Sequence, residues 1–346
     1  MTIRLGEAEL SAIATAALEG LGLAPRDAAD GARILVLADL FGLHTHGVSR
    51  IVSYGERIDL GGIAARPAIR VEKVAAAIAR VDGANGLGPL VGMRALEVAM
   101  DLARESGVGI AFARASNHFG PISPYGFIAA EAGFATMIGS NATTTIAPWG
   151  GGDARLGNNP LGFGVPQPGG PPFLLDMAMS VAARAKIRSA AAKGEPIPAT
   201  WATDAAGRPT TDAKAALEGF LQPVGGHKGY GLALVVDLFA GLLSGAAYLT
   251  HVSSWSEDPE KPQNLGHFFI ALDTTKLGAA EWLRGRMEDF RAILHASPPA
   301  DPASPVVVPG EIELARMAAF RAGGIPLPGD LVEQLRELAK RKRDAG

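Results

Sequence analysis

The chain has no cysteine among its 346 residues. This absence excludes disulfides, zinc–thiolate sites, iron–sulfur clusters and cysteine nucleophiles, so any chemistry must depend on His, Asp, Lys, Arg, Ser and Thr. An excess of positive charge is missing as well, because 32 Lys and Arg against 35 Asp and Glu give a net charge of −3. Without a basic field to hold a phosphate backbone, we expect no nucleic-acid partner.

Long apolar runs without charge are also lacking. Arg4 and Glu7 interrupt the N-terminal segment, which therefore does not fit a secretory signal, and we expect a cytoplasmic protein. The most apolar stretch, Gly229–Ala247, carries Asp237 at its centre. Because a charge in the middle of a membrane is costly, we expect a buried core helix here and no membrane association.

Glycine is abundant, with 44 residues, and the apolar patterns are typical of an α/β fold. Spacings of three and four residues predict helices over 7–22 and 26–42, and a last helix over 331–343 that ends in a basic cluster. Between them, short apolar runs alternate with helical patterns. The predicted strands are 69–71, 76–81, 108–113, 134–140, 173–175 and 268–272, and the predicted helices between them are 90–105 and 124–132.

The segment Leu43–Arg50 reads LHTHGVSR and concentrates reactive side chains. Histidine is an acid or base near neutral pH, and arginine binds a carboxylate with two parallel hydrogen bonds. This set predicts a site for a small anionic substrate. The alternative is a metal-dependent lyase or hydrolase that uses His44, His46 and Asp176, although no third ligand stands at a recognised metal spacing.

Three glycine-containing segments are candidates for ligand contact. Gly86, Gly88 and Gly92 precede a predicted helix, but their spacing departs from the dinucleotide fingerprint. Gly225–Gly231 contains Lys228 and leads into the apolar helix, so free N–H groups and the helix dipole would bind phosphate there, unless Lys228 simply lies in solvent. Ser116–Gly120 follows a strand, where α/β proteins often bind ligands. A binding protein without catalysis remains a third possibility.

Seven segments, taken in order, resemble the type-2 malate/L-lactate dehydrogenase family, which is also called the sulfolactate dehydrogenase-like family. They are His44–Arg50, Asp82–Pro89, Ser116–Pro121, Leu156–Pro166, Leu175–Ser180, Gly225–Leu232 and Pro309–Glu311. The resemblance implies an α/β (α+β) protein with a non-Rossmann fold. A central, mixed and largely antiparallel sheet domain would span residues 73–295, and residues 1–72 and 296–346 would form a helical domain from both chain ends. It also implies a homodimer.

The resemblance assigns roles to five side chains. His46 would protonate the carbonyl oxygen during reduction, and Thr45 would orient His46. His118 matches a histidine that acts as acid or base in the ureidoglycolate-oxidising branch. Arg50 would hold the substrate carboxylate, and Arg184 lies in a substrate-side segment. The sequence leaves open which of the two histidines is the main acid or base.

The implied reaction is hydride transfer between NAD or NADP and C2 of a small 2-hydroxy or 2-oxo acid. Malate, lactate, sulfolactate, ureidoglycolate and sugar-derived acids all remain candidates. Lys186 stands where imine-reducing members have an aspartate, which disfavours a cyclic-imine reductase. The residues that match cofactor contacts are His118, Phe119, Gly120, Pro121, Ile122, Asp176, Met177, Ala178, His227, Lys228, Pro309, Gly310 and Glu311.

Overall fold

The computed structural model describes residues 1–341, in which strands and helices alternate along the chain. The strands are β1 Thr2–Leu5, β2 Arg70–Ala75, β3 Ile78–Asp82, β4 Val108–Ser116, β5 Phe134–Ser140, β6 Thr144–Ile146, β7 Leu156–Gly157, β8 Leu161–Val165, β9 Phe173–Met177, β10 Leu265–Asp273 and β11 Ile325–Pro328. The helices are α1 Glu7–Gly20, α2 Pro25–Leu40, α3 Arg50–Asp59, α4 Gly88–Ser106, α5 Ser123–Glu131, α6 Arg184–Lys193, α7 Ala213–Glu218, α8 His227–Asp237, α9 Ala280–His295, α10 Glu311–Gly323 and α11 Gly329–Ala339.

A seven-stranded sheet in the order β2-β3-β4-β10-β5-β8-β9 forms the centre of the molecule. Strands β3 and β4 are parallel and are connected through α4, whereas the other neighbouring pairs are antiparallel. The predicted mixed, largely antiparallel and non-Rossmann sheet is confirmed. Strand β10 lies in the middle, so that Phe268 stands opposite Phe112 on one side and Gly139 on the other.

Both ends of the chain meet beside this sheet. Strand β1 pairs with β11 in antiparallel register, with Leu5 opposite Ile325, and α1 packs against α2 and α11. Strand β2 runs across the domain boundary predicted at residue 72, and the two-domain division itself stays a prediction. Helix α11 ends at Ala339, while Lys342 and Arg343 of the predicted basic cluster lie outside the described residues.

The main core forms where α1, α2 and α4 pack together and α4 covers the sheet. Leu18, Leu35 and Leu96 are fully buried on these helices, and Phe269 of β10 lies beneath them. A second apolar cluster gathers β6, β7, α6, α7 and α8 around Ile187. The functional cavity described below is lined by loops and helix starts that these two packed regions hold in place.

The apolar stretch Gly229–Ala247 differs from its prediction. Helix α8 ends at the buried Asp237, whose carboxylate accepts a hydrogen bond from the backbone N–H of Leu249 at 3.0 Å, and a π-helical turn follows over Leu238–Leu243. The prediction of a buried core helix was wrong for one face, which is 45–49% exposed at Leu232, Val235, Leu238 and Leu242. Within residues 1–341, no helix is long and apolar enough to cross a membrane.

Candidate active site

A cavity of about 720 Å³ opens beside the sheet and is lined by segments that lie far apart in the sequence. Its size is that of a small-molecule or cofactor site. Most of the site residues predicted from the sequence meet here. Those that line the cavity are His46, Arg50, His118, Phe119, Gly120, Pro121, Asp176, Ala178, Arg184, Pro309 and Gly310.

The buried Asp39 at the end of α2 fixes the loop that carries His46. The Asp39 side chain is 1% exposed and accepts hydrogen bonds from the Val48 N–H at 2.7 Å and from His44 Nδ1 at 2.8 Å. Gly47 lies so close to this carboxylate that any side chain at Gly47 would collide with it. Sequence reasoning missed Asp39, although an acid among the buried positions of an apolar helix was a usable signal.

His46 and Arg50 project into the cavity from this loop and the start of α3. The Thr45 hydroxyl lies 2.9 Å from Nδ1 of His46, and the Thr45 carbonyl accepts a hydrogen bond from Arg50 Nε at 2.7 Å. This bond leaves the terminal amino groups of Arg50 for a ligand. Burial, together with the Arg50 guanidinium, lowers the pKa of His46 to about 4, so His46 is neutral near pH 7.

His118 lines the cavity beside His46, with the two ring centroids 5.5 Å apart. Its Nδ1 lies 2.8 Å from the hydroxyl of Tyr54, a residue of α3 that has no solvent exposure. Burial lowers the pKa of His118 well below its ordinary value, and Arg50 and His46 lower it further. Two neutral imidazoles and one guanidinium therefore share one end of the cavity.

Helix α3 also fixes Trp255, which forms the wall of the cavity beside His118. Arg57 is 2% exposed, stacks 4.6 Å from the ring centre of Trp255, and donates hydrogen bonds to the carbonyls of Trp255 at 2.9 Å and Lys261 at 2.6 Å. Trp255 lines the cavity with its ring edge-on to His118. Arg50, Tyr54 and Arg57 stand at positions i, i+4 and i+7 of α3, so they lie on one face of the helix. This face reaches the cavity through Arg50, His118 through Tyr54, and the wall at Trp255 through Arg57.

A buried polar cluster supports the cavity from the sheet. His267 of β10 has no solvent exposure and lies 2.8 Å from both the Ser140 and the Ser116 hydroxyl oxygens. Its ring stacks on Phe119 at 4.3 Å between centroids. Burial lowers the pKa of His267 to about 3, so the ring stays neutral. The stack holds Phe119 against the cavity.

Asp176 acts on a helix end. Its carboxylate accepts hydrogen bonds from the backbone N–H groups of Ile122 at 2.7 Å and Ser123 at 2.9 Å, which begin α5. This contact stabilises the positive end of the helix and fixes the preceding loop, while the Ile122 side chain is buried. Burial raises the pKa of Asp176. Ile122 thus contributes to the site through its backbone.

The metal set proposed as an alternative is not assembled. His44 bonds to Asp39, His46 lies beside Thr45, and Asp176 caps α5. Across residues 1–341, no group of three or more His, Asp or Glu side chains is placed to hold a metal ion.

Five of the residues predicted to contact the cofactor do not line the cavity, and besides Ile122 they are Met177, Glu311, His227 and Lys228. Met177 packs in the second apolar cluster. Glu311 accepts hydrogen bonds from Arg291 at 2.8 Å, from the Val308 N–H at 2.9 Å and from His295 at 3.1 Å. Glu311 therefore ties α10 to α9 and holds the neighbouring Pro309–Gly310 backbone against the cavity.

The predicted phosphate-binding segment at the start of α8 lies outside the cavity lining. His227 and Lys228 are both exposed, and the ring of His227 stands edge-on to the exposed Trp149 at 5.8 Å. The two glycines before them, Gly225 and Gly226, have φ angles of 63° and 66°, so they serve a tight helix entry.

The glycines of the imperfect fingerprint serve packing. Gly88 begins α4 so close to the carbonyls of Asn117 and His118 that a side chain there would overlap them, and Gly92 packs against the ring of Tyr125. Close approach of α4 to the cavity loop therefore explains these glycines.

Comparisons with known proteins agree with this geometry. Residues 5–336 match the sequence profile of the family described as malate/L-lactate dehydrogenase. The chain belongs to the malate/L-lactate dehydrogenase family. It is 35% identical to the malate dehydrogenase of Pyrococcus abyssi over 98% of this chain and 95% of the relative. It is 37% identical to the (2R)-3-sulfolactate dehydrogenase (NADP(+)) of Chromohalobacter salexigens over 97% of this chain and 98% of the relative.

The fold matches as well as the sequence. The solved structure of the sulfolactate dehydrogenase from Methanocaldococcus jannaschii superimposes with a TM-score of 0.89 at 33% identity, covering 97% of this chain and 96% of that one. The resemblance inferred from the seven segments is confirmed, and this member of the malate/L-lactate dehydrogenase family is a 2-hydroxyacid dehydrogenase. Cavity residues that sequence reasoning missed include Asn141, Thr143, Arg188, Trp255 and Gln263.

Proposed function

We propose that this protein interconverts a small 2-hydroxy acid and the corresponding 2-oxo acid with NAD or NADP. The observation that carries the proposal is the arrangement of Arg50, His46 and His118 at one end of a single cavity. When bound, the cofactor supplies the hydride acceptor or donor at C4 of its nicotinamide ring.

The side chains at this end of the cavity bind the substrate and exchange its proton. Arg50 binds the substrate carboxylate through its terminal amino groups, since its Nε is already engaged. An imidazole exchanges one proton with the oxygen on C2, which contributes about 10²- to 10⁴-fold to the rate. His46, to which the family resemblance gives this role, and His118 both line this end of the cavity. Trp255 limits the space beside them and restricts water.

The other parts of the cavity fit a dinucleotide. Gly310 has a φ of 95° and no room for a side chain next to Leu174, so bare backbone forms this wall. The first turn of α6 has no side-chain cap, and Arg184 and Arg188 line the cavity there. Free helix N–H groups and two guanidinium groups would hold the cofactor diphosphate or a second acidic group of the substrate.

The decisive experiment follows NAD(P)H absorbance with each cofactor against a panel of 2-hydroxy and 2-oxo acids: malate, lactate, sulfolactate, ureidoglycolate and sugar-derived acids. We expect turnover with at least one acid, unchanged after dialysis against a chelator. Turnover that is lost on chelation and restored by a metal would instead support the metal-dependent alternative. The profile of rates across the panel identifies the substrate and the preferred cofactor.

We also propose that the protein is a homodimer that buries the exposed apolar face of α8 and of the π-helical turn Leu238–Leu243 that follows it. The spacing of Leu232, Val235, Leu238 and Leu242 places these half-exposed side chains along one side of the helix. Contiguous apolar surface of this kind marks association sites. Light scattering on the purified protein should give twice the chain mass, and Val235→Asp should give the monomer mass. A monomeric wild type would refute the proposal.

A further inference from the structure

The hydroxyl of Tyr54 contacts two atoms of His118, its ring Nδ1 and its backbone carbonyl oxygen. It lies 2.8 Å from Nδ1 of His118 and donates a hydrogen bond to the backbone carbonyl of His118 at 3.3 Å. Tyr54 has no solvent exposure, so water is not available as an alternative partner. The proton positions around this hydroxyl are therefore determined by the protein alone.

Counting donors decides between the two neutral forms of the ring. A carbonyl oxygen can only accept, so the Tyr54 proton directed to it leaves the hydroxyl oxygen free to accept a hydrogen bond from Nδ1–H of His118. This arrangement makes two hydrogen bonds. The reverse arrangement, with the Tyr54 proton on Nδ1, makes one hydrogen bond and leaves the His118 carbonyl without this donor. The two-bond arrangement puts the hydrogen on Nδ1 and a lone pair on Nε2.

We propose that Tyr54 is a positioning residue that holds His118 in its Nδ1–H form, so that Nε2 is the atom that exchanges the proton with the substrate oxygen. The inference rests on the proposed function. In oxidation, the O–H bond of the 2-hydroxy acid breaks and its proton joins Nε2, while the hydride from C2 passes to the oxidised nicotinamide. Reduction reverses both transfers. The Nδ1–H bond to Tyr54 is present in both protonation states, so the ring does not need to turn.

The surroundings of His118 keep this lone pair available. The titratable and charged groups that act on the ring are Arg50 from α3, His46 from the preceding loop and His267 from β10, and all three lower its pKa in addition to burial. A tyrosine partner is neutral and adds no opposing negative charge, unlike the carboxylate that commonly orients a catalytic histidine. His118 is thus a proton acceptor at neutral pH.

His46 has a weaker anchor. Its Nδ1 faces the hydroxyl of Thr45, the residue directly before it, and Thr45 is exposed. An exposed hydroxyl rotates and donates or accepts equally well, so it does not select one form of the ring. The geometry therefore makes His118 the proton carrier and leaves His46 as a hydrogen-bonding partner of the same oxygen.

The first test is a direct measurement of the ring form. Nitrogen-15 NMR of histidine-labelled protein distinguishes Nδ1–H from Nε2–H rings, and the His118 signals are identified by their loss in His118→Gln. We expect Nδ1–H in the wild type. Tyr54→Phe should shift His118 toward Nε2–H. A wild-type spectrum with Nε2–H overturns the inference, and this result needs no turnover.

The second test is kinetic and uses a matched control. Tyr125 is equally buried, but its hydroxyl donates to the Phe119 carbonyl at 2.6 Å, so Tyr125→Phe removes a comparable bond without touching a histidine. We expect Tyr54→Phe to lower kcat about 10- to 100-fold, within the range of acid–base catalysis. KM and the Kd for NAD(P)H, measured by fluorescence, should change less than about threefold, as they should in Tyr125→Phe.

Two outcomes separate the inference from the proposed function. Equal kcat values for Tyr54→Phe and Tyr125→Phe, or a larger loss in His46→Gln than in His118→Gln, would overturn the role of Tyr54 while leaving the dehydrogenase intact. Absence of turnover in the wild type with every acid and both cofactors would refute the proposed function. It would also refute the catalytic part of the inference, although the ring form would still be measured.

Discussion

Two short segments of similar composition have different surroundings in this protein. Leu43–Arg50 and Gly225–Gly231 both combine histidine, glycine and a basic residue next to a helix. In the first, buried residues such as Asp39 and Tyr54 hold the loop and the neighbouring His118. In the second, His227 and Lys228 are exposed. The difference teaches that a motif becomes a site through the remote partners that fix it, which local composition does not reveal.

Burial should make the site region acid-sensitive. His267 has a folded pKa of about 3 against an ordinary value of 6.5, so below pH 6.5 the unfolded chain binds a proton that the folded chain does not. Stability is therefore lost as pH falls from 6.5 toward 3, by about 3 kcal/mol from this residue at pH 4. Denaturant unfolding of His267→Gln should show a correspondingly weaker pH dependence.

The exposed histidine provides the control for this measurement. His227→Gln should leave the pH dependence of the unfolding free energy as it is in the wild type, because this variant keeps the buried His267. If the two variants gave the same pH dependence, the contrast between a buried and an exposed histidine would not hold.

Arg50→Lys should raise KM for the substrate about 10- to 100-fold, because a two-pronged guanidinium is replaced by a point charge. Its carbonyl contact with Thr45 would also be lost. Steady-state kinetics with the acid measure KM, and a fluorescence titration with NAD(P)H measures cofactor affinity separately. Cofactor affinity should stay within about threefold, and an unchanged KM would remove Arg50 from the carboxylate site.

Arg57→Met should raise KM about tenfold by releasing the wall that contains Trp255. The variant keeps an apolar side chain against the ring but loses the hydrogen bonds to the Trp255 and Lys261 carbonyls. Trp255 fluorescence should become more accessible to a soluble quencher, after correction with Trp255→Phe. A rise in KM without a change in quenching would mean that Arg57 acts on the substrate in some other way.

Lys228→Met should have the smallest effect. Because Lys228 is exposed and outside the cavity lining, the Kd for NAD(P)H should change less than about threefold at low ionic strength. A tenfold or larger rise would restore the phosphate-binding role predicted from the sequence, and would mean that the start of α8 reaches a cofactor in the assembled protein.

Much of the fold was predictable because its signals are local. Strand β5 has the predicted bounds of 134–140, and α1, α2 and α4 follow from apolar spacing. Helix α3 was missed because Arg57 sits on its buried side, and only carbonyls some 200 residues away explain that burial. Within residues 1–341, strands β1 and β11 have four residues each and pair only with each other, although they come from opposite parts of the sequence.

The site was predictable where the family segments contribute side chains directly. His46, Arg50 and His118 come from two such segments and line one cavity. Trp255 lies in a polar loop with no pattern of its own, so its place beside His118 follows from tertiary packing alone. Asp39 acts on other residues and belongs to no motif, so its position among the buried residues of an apolar helix is the signal that could have indicated it.

The face of α3 that carries Arg50, Tyr54 and Arg57 limits how the substrate preference of the protein can change. Inserting one residue in the middle of α3 would turn the part beyond it by about 100° and displace Arg57, and with it Trp255, relative to Arg50. A change in α3 would therefore affect Arg50, the tyrosine partner of His118 and the wall at Trp255 together. New substrates must be accommodated by residues that α3 does not hold, such as Leu43, Thr143 and Arg188 elsewhere around the cavity. Under the proposed function, α3 would hold the reacting end of the cavity, and the choice of acid would depend on the residues around it.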